Sequence, residues 1–249
     1  MLDLATGDGA VLLMLRAARL DLKLTGIDSA RKLPRAPAGV MLKGGVGMER
    51  LPFPDRRFDL VTSQFGIEYG DVAAAAAEAS RVLRPGGQLV LLVHHAGGPV
   101  VAHNRARALA LQWVLEQAGY WERARSFAAS RALGPLPVPA FFAEAVREAE
   151  QMFPGQSGAA EVREAVRRTL EARAWAAPDE ITAGLDELRS MAAHECTRIA
   201  ALLEAARDEP GAAWMGQVLG AAGLIVSEPA LVREGTGRPP FAWLLQARR

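Results

Sequence analysis

The sequence predicts an α/β fold: an open, doubly wound sheet of mostly parallel strands, interrupted by a long helical insertion. Over the first 95 residues, short apolar segments alternate with helical periodicity, which is typical of strand–helix–strand units. From about residue 100 to residue 208 no convincing strand pattern occurs, and Ala, Arg and Glu dominate. Residues 209–249 return to a helix and strand-like segments. One sheet domain is therefore predicted on both sides of the helical block.

The first third of the chain contains five strand-like segments and two helical ones. The strand-like segments are residues 1–4, 22–27, 40–42, 58–63 and 88–93. A helix is predicted over residues 10–20, and a second begins at Asp71 and stops at the turn signal Pro85-Gly86-Gly87. The strand after that turn, QLVLLV, is apolar throughout, as expected when helices cover both faces of a parallel sheet.

The long middle region predicts helices only, because apolar residues recur at helical spacing. The run LGPLPVP at residues 133–139 divides it into at least two helical parts. Its aromatic residues are expected to form a core: Trp113, Tyr120, Trp121, Phe127, Phe141 and Phe142. His103 and His194 fall on predicted helices and are expected as surface residues of this region. The predicted organisation is a ligand-binding core over residues 1–99, a helical cap insertion over 100–208, and a return to the core over 209–249.

Composition limits the function classes. The chain has 249 residues, with 29 basic and 28 acidic ones, and half of its residues are hydrophobic. Because a protein that grips nucleic acid needs clustered Lys and Arg, this balance argues against nucleic-acid binding and favours a small or neutral partner. The single cysteine, Cys196, excludes an internal disulfide and a multi-cysteine zinc site, and no metal is expected.

Neither of two notable apolar segments predicts a targeting or membrane signal. The N-terminal segment carries Asp3 and Asp8 where a signal peptide needs basic residues. Residues 211–227 carry no charge, but the segment is short for a membrane span and contains several glycines. We therefore expect no signal peptide, no membrane span and a cytoplasmic location.

The strongest functional signal is DLATGDG at residues 3–9, at the end of the first strand and before the first helix. Glycines let a ligand approach the backbone, and a helix N-terminus offers free N–H groups. Dinucleotide-binding proteins use a related GxGxxG turn, and an ordinary strand-to-helix connection can also contain glycines. About 20 residues further on, TGID at residues 25–28 ends the second strand. Asp28 there can accept hydrogen bonds from both hydroxyls of a ribose.

Four blocks in order resemble the class I S-adenosylmethionine-dependent methyltransferases. They are DLATGDG, TGID, ERLPFPD at residues 49–55 followed by FDLV at 58–61, and RVLRPGG at 81–87. The family carries an acidic residue before the glycines, here Asp3, which dinucleotide enzymes generally lack. The series is most similar to the branch with quinone-biosynthesis C-methyltransferases and many small-molecule methyltransferases. The resemblance covers about residues 1–95, returns weakly from residue 213, and implies a Rossmann-like sheet of seven strands.

The resemblance also implies an S-adenosylmethionine site within residues 1–99. Five residues of the first turn would hold the methionine part of the cofactor: Asp3, Ala5, Thr6, Gly7 and Gly9. Asp28 would accept the ribose hydroxyls, and Ser29 would lie beside the adenine. Met48 and Glu49 would border the adenine from the other side.

The sequence departs from the family pattern in three places. Ala5 replaces the first family glycine, a change that adds only one methyl group. The acidic residue that often meets the adenine amino group is Gly47 here, so either Glu49 substitutes for it or that hydrogen bond is absent. Relatives also have a helix before the first strand, whereas this sequence begins directly on the strand. We expect either an upstream start codon or weak binding of S-adenosylmethionine.

Methyl transfer requires few catalytic groups, because the donor is already activated and an acceptor mainly has to be positioned. Gln64 and Phe65, which leave the fourth strand, would lie near the sulfonium and the acceptor. A general base is needed only if the acceptor loses a proton. The candidates near the strand ends are Glu68, Tyr69, His94 and His95.

For a histidine in this position the alternative role is a polar strand end hydrogen-bonded to the backbone. A metal pair of His94 and His95 is disfavoured, because adjacent residues on a strand point to opposite faces.

The predicted function is transfer of a methyl group from S-adenosylmethionine to a small organic acceptor at carbon, oxygen or nitrogen. A second hypothesis is an S-adenosylmethionine-binding protein without turnover. A third, a nicotinamide-dependent oxidoreductase, is disfavoured by Asp3 and by the blocks downstream of TGID. The sequence does not identify the acceptor or the oligomeric state.

Overall fold

In a computed structural model, one mixed sheet is built from the two ends of the chain. The structure describes residues 1–18, 21–36, 38–134, 136–172 and 176–249. The chain divides into a sheet unit, Met1–Val101 with Glu204–Arg249, and a helical unit, Ala102–Leu203. The segment that the sequence predicts to be helical throughout is thus separated from the segments that form the sheet.

Among the described residues, eight strands form the sheet: β1 (Leu2–Leu4), β2 (Leu24–Asp28), β3 (Val40–Gly44), β4 (Phe58–Gln64), β5 (Leu83–His94), β6 (Ile225–Val226), β7 (Ala230–Arg233) and β8 (Pro240–Arg248). Their order is β3-β2-β1-β4-β5-β8-β6, and β7 also pairs with β8. Strands β1 to β5 are parallel and β8 is antiparallel to β5. The order reverses between β1 and β4, and open α/β sheets bind ligands at the carboxyl ends of strands at such a switch point.

The predicted Rossmann-like sheet of seven strands is confirmed, with one strand position divided in two. β6 pairs with Ala247 and Arg248, and β7 pairs with residues 240–244, so both lie along the same edge of β8. Between β6 and β7, Ser227 N donates to Gln246 O at 2.9 Å. From Ser227 to Ala230 the chain then has one residue more than the opposing stretch of β8, which makes a β-bulge. Pro229 lies in this bulge, where it is tolerated because proline has no N–H to donate to the ladder.

The α-helices are α1 (Ala10–Ala18), α2 (Val72–Val82), α3 (Pro99–Glu116), α4 (Ala118–Ser130), α5 (Ala140–Met152), α6 (Gly158–Ala172), α7 (Pro178–Ala205) and α8 (Glu209–Ala221). Asp71 caps α2 by accepting hydrogen bonds from Ala73 N and Ala74 N. Asp208 caps α8 through Gly211 N. The predicted end of the first helix at Leu20 lies outside the described residues.

The turn predicted at Pro85-Gly86-Gly87 is wrong, because these residues lie within β5. The strand begins at Leu83, which pairs with Phe58 of β4. Gly86 has a φ of 77°, and its N–H donates to Arg249 O at 2.8 Å, while Arg249 N donates to Gly87 O at 3.0 Å. Hydrogen bonds to the C-terminal residue therefore make this segment an irregular start of the strand.

The core of the sheet unit lies between the strands and the helices α2 and α8. The buried strand residues include Leu2, Leu4, Val61, Leu89 and Leu91. The helices contribute small or flexible side chains to the same cluster: Ala75 and Ala79 from α2, and Met215 and Leu219 from α8. This core holds the strands rigidly, so the loops at their ends are well supported.

The helical unit consists of α4 to α6 with most of α3 and α7, and the aromatic core predicted for it is confirmed. Tyr120, Trp121 and Phe142 are buried in one cluster, with Phe127 and Phe141 packed against it. Trp113 is half-buried beside a neighbouring cluster and meets Phe153 edge-on. The short helical turn Arg131–Leu133 follows α4 directly.

Residues 204–208, which the sequence assigns to the helical insertion, belong to the sheet unit. Helix α7 ends at Ala205. Arg207 N then donates to His94 O at 2.8 Å, and Ala96 N donates to Arg207 O at 2.8 Å. These bonds attach the returning chain to the carboxyl end of β5, a pairing that helical periodicity cannot predict.

Candidate active site

The glycine-rich segment after β1 forms a tight loop against the end of β2. Ala5, Gly7 and Gly9 have φ angles of 52°, 55° and 82°, in the left-handed region that glycine adopts at little cost. Thr6 N donates to Ile27 O at 2.9 Å, and Gly9 N donates to Thr6 O at 2.8 Å. The loop therefore leads from β1 into α1 while its backbone stays beside β2.

Gly26 in the TGID block has a packing reason. A Cβ atom at this position would lie 2.7 Å from the Thr6 side chain and 2.8 Å from Leu12. Such distances are shorter than any comfortable contact, so a larger residue would push the loop away from β2. Glycine at this position allows the two segments to meet.

Asp28 connects the loop to the end of β2. Its Oδ2 accepts a hydrogen bond from Gly7 N at 2.9 Å, and its Oδ1 accepts one from Ala30 N at 2.8 Å. A carboxylate has about four acceptor positions, so these two bonds leave capacity for further donors. The carboxylate is thus held in place from both sides and can still bind ligand hydroxyls.

The segment after β3 packs closely against a glycine that follows β4. Val46 N donates to Asp28 O at 2.9 Å, which ties this segment to β2. A Cβ atom at Gly70 would lie 2.5 Å from Met48 Cε and would also collide with Glu49 Oε1. A Cβ atom at Gly47 would lie 2.8 Å from Glu49 Oε2. The two glycines therefore make room for the Met48 and Glu49 side chains.

These loops enclose a cavity of about 330 Å³ at the carboxyl ends of the parallel strands. Six of the predicted cofactor residues line it: Ala5, Asp28, Ser29, Met48, Glu49 and Phe65. Tyr69, a predicted catalytic residue, also lines the cavity. Gly66 and Gly70 line it as well, although they were not predicted as site residues. The sequence feature that could have indicated them is that they flank the short segment containing Glu68 and Tyr69.

The other predicted residues lie around the cavity without lining it. Gln64 is the exposed last residue of β4. Thr6 is buried, and its hydroxyl finds no hydrogen-bond partner among the described residues. Gly7 is exposed and Gly9 is buried on the loop. Asp3, Glu68 and His94 are not among the lining residues, but the His94 ring packs against Phe65 and Tyr69, which are.

Asp3 is buried within β1, with 2% of its surface exposed. Thr62 Oγ1 on β4 donates a hydrogen bond of 2.6 Å to Asp3 Oδ1. Burial raises the pKa of the Asp3 carboxyl above its ordinary value, and the neighbouring hydroxyls of Thr62 and Thr6 oppose that rise. A buried carboxylate whose neighbours are neutral hydroxyls can also accept hydrogen bonds from a cationic partner.

Glu68 and His94 form a pair beside the cavity, in which the Glu68 side chain is buried and that of His94 is partly exposed. Glu68 lies in the helical turn Ile67–Tyr69 after β4, and its side chain is fully buried. Its Oε1 accepts a hydrogen bond from His94 N at 3.1 Å and lies 2.9 Å from His94 Nδ1. The predicted catalytic residues Glu68, Tyr69 and His94 are therefore brought together, because the Tyr69 and His94 ring centres are 6.0 Å apart.

His95 belongs to a different environment from its neighbour. Its ring stacks on Trp243 of β8 at 5.3 Å, and its Nδ1 accepts a hydrogen bond from Gly97 N at 3.0 Å. Burial and the charge of Arg233 lower the pKa of His95. The two adjacent histidines thus have different partners: His94 contacts Glu68, whereas His95 packs on Trp243.

Two of the sequence blocks are in direct contact. Arg81 of RVLRPGG donates to Leu51 O at 3.0 Å and to Phe53 O at 2.8 Å, within ERLPFPD. Glu78 accepts a hydrogen bond from Leu51 N at 2.6 Å and, through its bond to Arg81, has a lowered pKa. Both blocks thus serve to hold the chain that follows Met48 and Glu49 against α2.

Other groups that could carry chemistry are placed elsewhere. Cys196 is half-buried on α7, and burial raises the pKa of its thiol, which disfavours the reactive thiolate. His103 and His194 are exposed on α3 and α7, as predicted. Within the described ranges, no three His, Cys, Asp or Glu side chains lie close enough together to hold a metal ion.

None of the described helices is both long enough and apolar enough to cross a membrane.

Comparisons with known proteins agree with the sequence blocks. Residues 2–91 match a family model described as a methyltransferase domain. A demethylmenaquinone methyltransferase of Thermotoga maritima is 38% identical over 98 residues, which cover 37% of this chain and 42% of that protein. A ubiquinone/menaquinone biosynthesis C-methyltransferase of Geobacter sulfurreducens is 36% identical over 103 residues, covering 37% of this chain and 40% of that protein. The chain thus spans about two fifths of the length of these curated relatives.

Among solved structures, an S-adenosylmethionine-dependent methyltransferase from Mesorhizobium loti aligns with 100% of this chain and 89% of that chain, at 14% identity and a TM-score of 0.48. The family match and the curated relatives confirm the resemblance of the N-terminal third to class I S-adenosylmethionine-dependent methyltransferases and to their quinone-biosynthesis branch.

Proposed function

We propose that this chain, in which residues 2–91 form a methyltransferase domain, transfers a methyl group from S-adenosylmethionine to a small organic acceptor. The observation that carries the proposal is the position of Asp28. Its carboxylate lines the cavity and also accepts a hydrogen bond from Gly7 N at 2.9 Å. The cavity of about 330 Å³ is in the size range of small-molecule sites.

The methionine part of the cofactor is assigned to the loop after β1. Asp3, Thr6, Gly7 and Gly9 would surround this end, since they lie on β1 and the loop after it, and Ala5 of the same loop lines the cavity. The buried Asp3 carboxylate would attract the amino group of the cofactor, directly or through a water molecule. Its surroundings support this role, because the groups that oppose the rise in its pKa are the neutral hydroxyls of Thr62 and Thr6, and a buried carboxylate is stabilised by a cationic donor.

The ribose and adenine are assigned to the ends of β2 and β3. Asp28 would accept the two ribose hydroxyls, and Ser29 would lie beside the adenine. Met48 and Glu49 would border the ring from the other side. The Glu49 carboxylate occupies the space next to Gly47, where relatives often carry an acidic residue. This supports the substitution of Glu49 for that residue as the acceptor for the adenine amino group.

The acceptor would bind beyond Gln64 and Phe65 at the end of β4. S-adenosylmethionine supplies a methyl group on a positively charged sulfur, so the chain needs no nucleophile of its own. The chain's contribution is to hold the acceptor in line with the methyl group and to exclude water. Phe65 and Tyr69 supply aromatic surface for this on the wall of the cavity. Glu68, Tyr69 and His94 are the groups available to take up a proton.

The acceptor class proposed is a small organic molecule rather than nucleic acid. The near balance of 29 basic and 28 acidic residues supports this, because a phosphate backbone requires an excess of positive charge. The curated relatives are named for demethylmenaquinone and ubiquinone biosynthesis; a quinone precursor is thus one member of the class to test. We propose a cytoplasmic location for the enzyme.

Isothermal titration of the full chain with S-adenosylmethionine, S-adenosylhomocysteine and NADH tests the cofactor. We expect binding of the first two and none of NADH. Binding of NADH alone would favour the oxidoreductase hypothesis and contradict the proposal. Turnover is then tested by following S-adenosylhomocysteine formation with a panel of phenols, amines and reduced quinones. Binding without turnover of any acceptor would favour the hypothesis of a cofactor-binding protein.

A further inference from the structure

We propose that Glu68 and His94 act as a proton-accepting pair, in which His94 removes a proton from the acceptor and Glu68 positions the imidazole. This inference rests on the proposed function, since it concerns the acceptor side of the same site. It narrows the substrate class to molecules that lose a proton on methylation, such as those with a hydroxyl, an ammonium or an activated C–H group.

The geometry of the pair determines which ring nitrogen is free. Glu68 Oε1 lies 2.9 Å from His94 Nδ1 and also accepts the backbone N–H of His94 at 3.1 Å. A carboxylate can only accept hydrogen bonds, so Nδ1 must carry the proton in the neutral ring. Nε2 then holds the lone pair, and this is the form of imidazole that accepts a proton from a substrate.

Aromatic side chains hold the imidazole next to the cofactor cavity. The Phe65 ring centre lies 4.2 Å from that of His94, and the Tyr69 ring meets it edge-on at 6.0 Å. Both aromatic residues line the cavity. Phe65 has a φ of 55°, a conformation that is unfavourable for a bulky residue and is found mainly where function requires it. The imidazole is thus restrained by two residues of the cavity wall.

The surroundings of the pair favour a catalytic over a purely structural role. The Glu68 side chain is fully buried, and its Oε2 has no hydrogen-bond partner among the residues described. A purely structural pair would leave fewer buried polar atoms unsatisfied. Among the described residues, the charged or titratable groups next to the pair include Tyr69, whose ring meets that of His94, and Arg207, whose guanidinium donates to Glu68 O at 3.3 Å.

Methyl transfer to the acceptor is coupled to loss of the acceptor's proton. The electron pair that attacks the methyl carbon is a lone pair of a hydroxyl oxygen or, for an ammonium or a C–H group, the pair freed when the proton leaves. The bond from that carbon to sulfur breaks, and its electrons remain on sulfur, which yields S-adenosylhomocysteine. The proton of the acceptor passes to His94 Nε2, and the resulting imidazolium is stabilised by the Glu68 carboxylate. Water removes the proton before the next turnover.

Long-range ¹H–¹⁵N correlation spectra of the full chain with S-adenosylhomocysteine test the pair without any acceptor. The chain has four histidines, and His94→Gln assigns the relevant signals. We expect the neutral His94 ring to carry its proton on Nδ1. We expect Glu68→Met, which removes the acceptor, to shift the ring toward the Nε2-protonated form, and Glu68→Gln, which keeps an oxygen acceptor, to shift it less. A wild-type ring protonated on Nε2 would overturn the proposal, even if neither variant folds.

Kinetics with an acceptor from the panel add a second readout. For His94→Gln we expect kcat to fall ~10²-fold or more, as for loss of a general base, with the KM for S-adenosylmethionine within about twofold of wild type. Glu68→Gln should lower kcat less, because the ring keeps its orientation but the imidazolium loses its counter-charge. His103→Gln is the matched control, since His103 is exposed on α3, and its kcat should remain unchanged. An unchanged kcat in His94→Gln would contradict the role of His94 while leaving the proposed methyltransferase function intact. Absence of cofactor binding would contradict that function and leave the tautomer result standing.

Discussion

The sheet unit and the helical unit bury charged side chains of opposite sign. Of the residues that the structure describes, the buried charged ones in the sheet unit are Asp3 and Glu68, 2% and 3% exposed. In the helical unit they are Arg131 and Arg163, 6% and 2% exposed. The carboxylates lie in β1 and just after β4, next to the cavity, whereas each guanidinium packs over aromatic rings.

The difference follows from the hydration of the two ions. A carboxylate is strongly hydrated, so its burial with few donors is costly and is expected mainly where a ligand supplies the missing partner. A guanidinium is planar and more weakly hydrated, and it can exchange water for aromatic faces at lower cost. The buried carboxylates of the sheet unit therefore indicate a ligand-binding site, whereas the buried arginines of the helical unit indicate part of its packed core.

Arg163→Ala should be the most destabilising of these changes. The Arg163 guanidinium lies 4.2 Å from the Trp113 ring centre and 5.0 Å from that of Tyr120, and it donates to Ala145 O at 2.6 Å. Removing it leaves a cavity between these rings and takes the ion-pair partner from Glu148, so we expect a loss of roughly 2–4 kcal/mol in the free energy of unfolding, measured by chemical denaturation.

Arg167→Ala is the control on the same helix, because the ion pairs that Arg167 forms in the described part of the structure, with Glu164 and Glu171, lie at the surface. Its denaturation midpoint should stay close to wild type. Equal effects of the two substitutions would show that Arg163 has no special place in the core.

Asp28→Ala should weaken binding of S-adenosylmethionine at least ~10-fold, because hydrogen bonds to a charged group contribute ~1.5–3 kcal/mol each. Loss of the carboxylate also frees Gly7 N and Ala30 N, which it now binds. Calorimetric titration measures the affinity, and circular dichroism checks the fold. A folded variant with unchanged affinity would contradict the assignment of Asp28 to the ribose.

Gly66→Ala should destabilise the sheet unit by roughly 1–3 kcal/mol through overpacking. The added Cβ would lie 2.5 Å from Ala5 Cβ and 3.0 Å from Ser63 Oγ. Ala5→Gly removes the nearer atom, so the double variant should recover part of the loss, and a double-mutant cycle from denaturation curves measures that coupling.

Ala5→Gly alone should change stability by less than about 1 kcal/mol. The left-handed φ of 52° at Ala5 is relieved by glycine, but the more flexible unfolded chain offsets most of that gain. Strictly additive effects in the cycle would contradict a direct contact between positions 5 and 66.

Asp3→Asn should have the smallest effect on stability and should increase it at neutral pH. Burial raises the pKa of Asp3, so the folded state holds this proton more tightly than the unfolded state. The contribution of Asp3 to stability is therefore greatest below the unfolded pKa of about 4 and decreases as the pH rises through the folded pKa. Asparagine does not ionise, so the variant does not lose this stability as the pH rises. Its amide oxygen can still accept the hydrogen bond from Thr62.

Denaturation at neutral pH and near pH 4 measures this difference, which should shrink at the lower pH. Binding of S-adenosylmethionine should weaken in the same variant, because the amino group loses its counter-charge. A variant that is less stable at neutral pH, or one that binds the cofactor as wild type does, would contradict the assignment of a ligand partner to Asp3.

The loop at residues 3–9 and Asp28 could be predicted from the sequence because their constraints are local. Left-handed φ angles at Gly7 and Gly9 and a carboxylate at a strand end are encoded within a few residues. Gly66 and Gly70 were missed because the atoms that exclude a larger side chain there come from Ala5, Met48 and Glu49, which are distant in sequence. Arg163 was missed because helical periodicity treats arginine as a surface residue.

The sequence by itself determined the alternation of strands and helices, the helical nature of the region after residue 100 and the resemblance of the first third to a methyltransferase domain. These follow from periodicity and short motifs, which depend on neighbouring residues. Only the tertiary structure brought Glu68 to His94, 26 residues away. That contact depends on the parallel register in which Gln64 pairs with Leu92, so that both side chains emerge together at the carboxyl ends of β4 and β5. Register is set by packing across the whole sheet, and no short segment contains it.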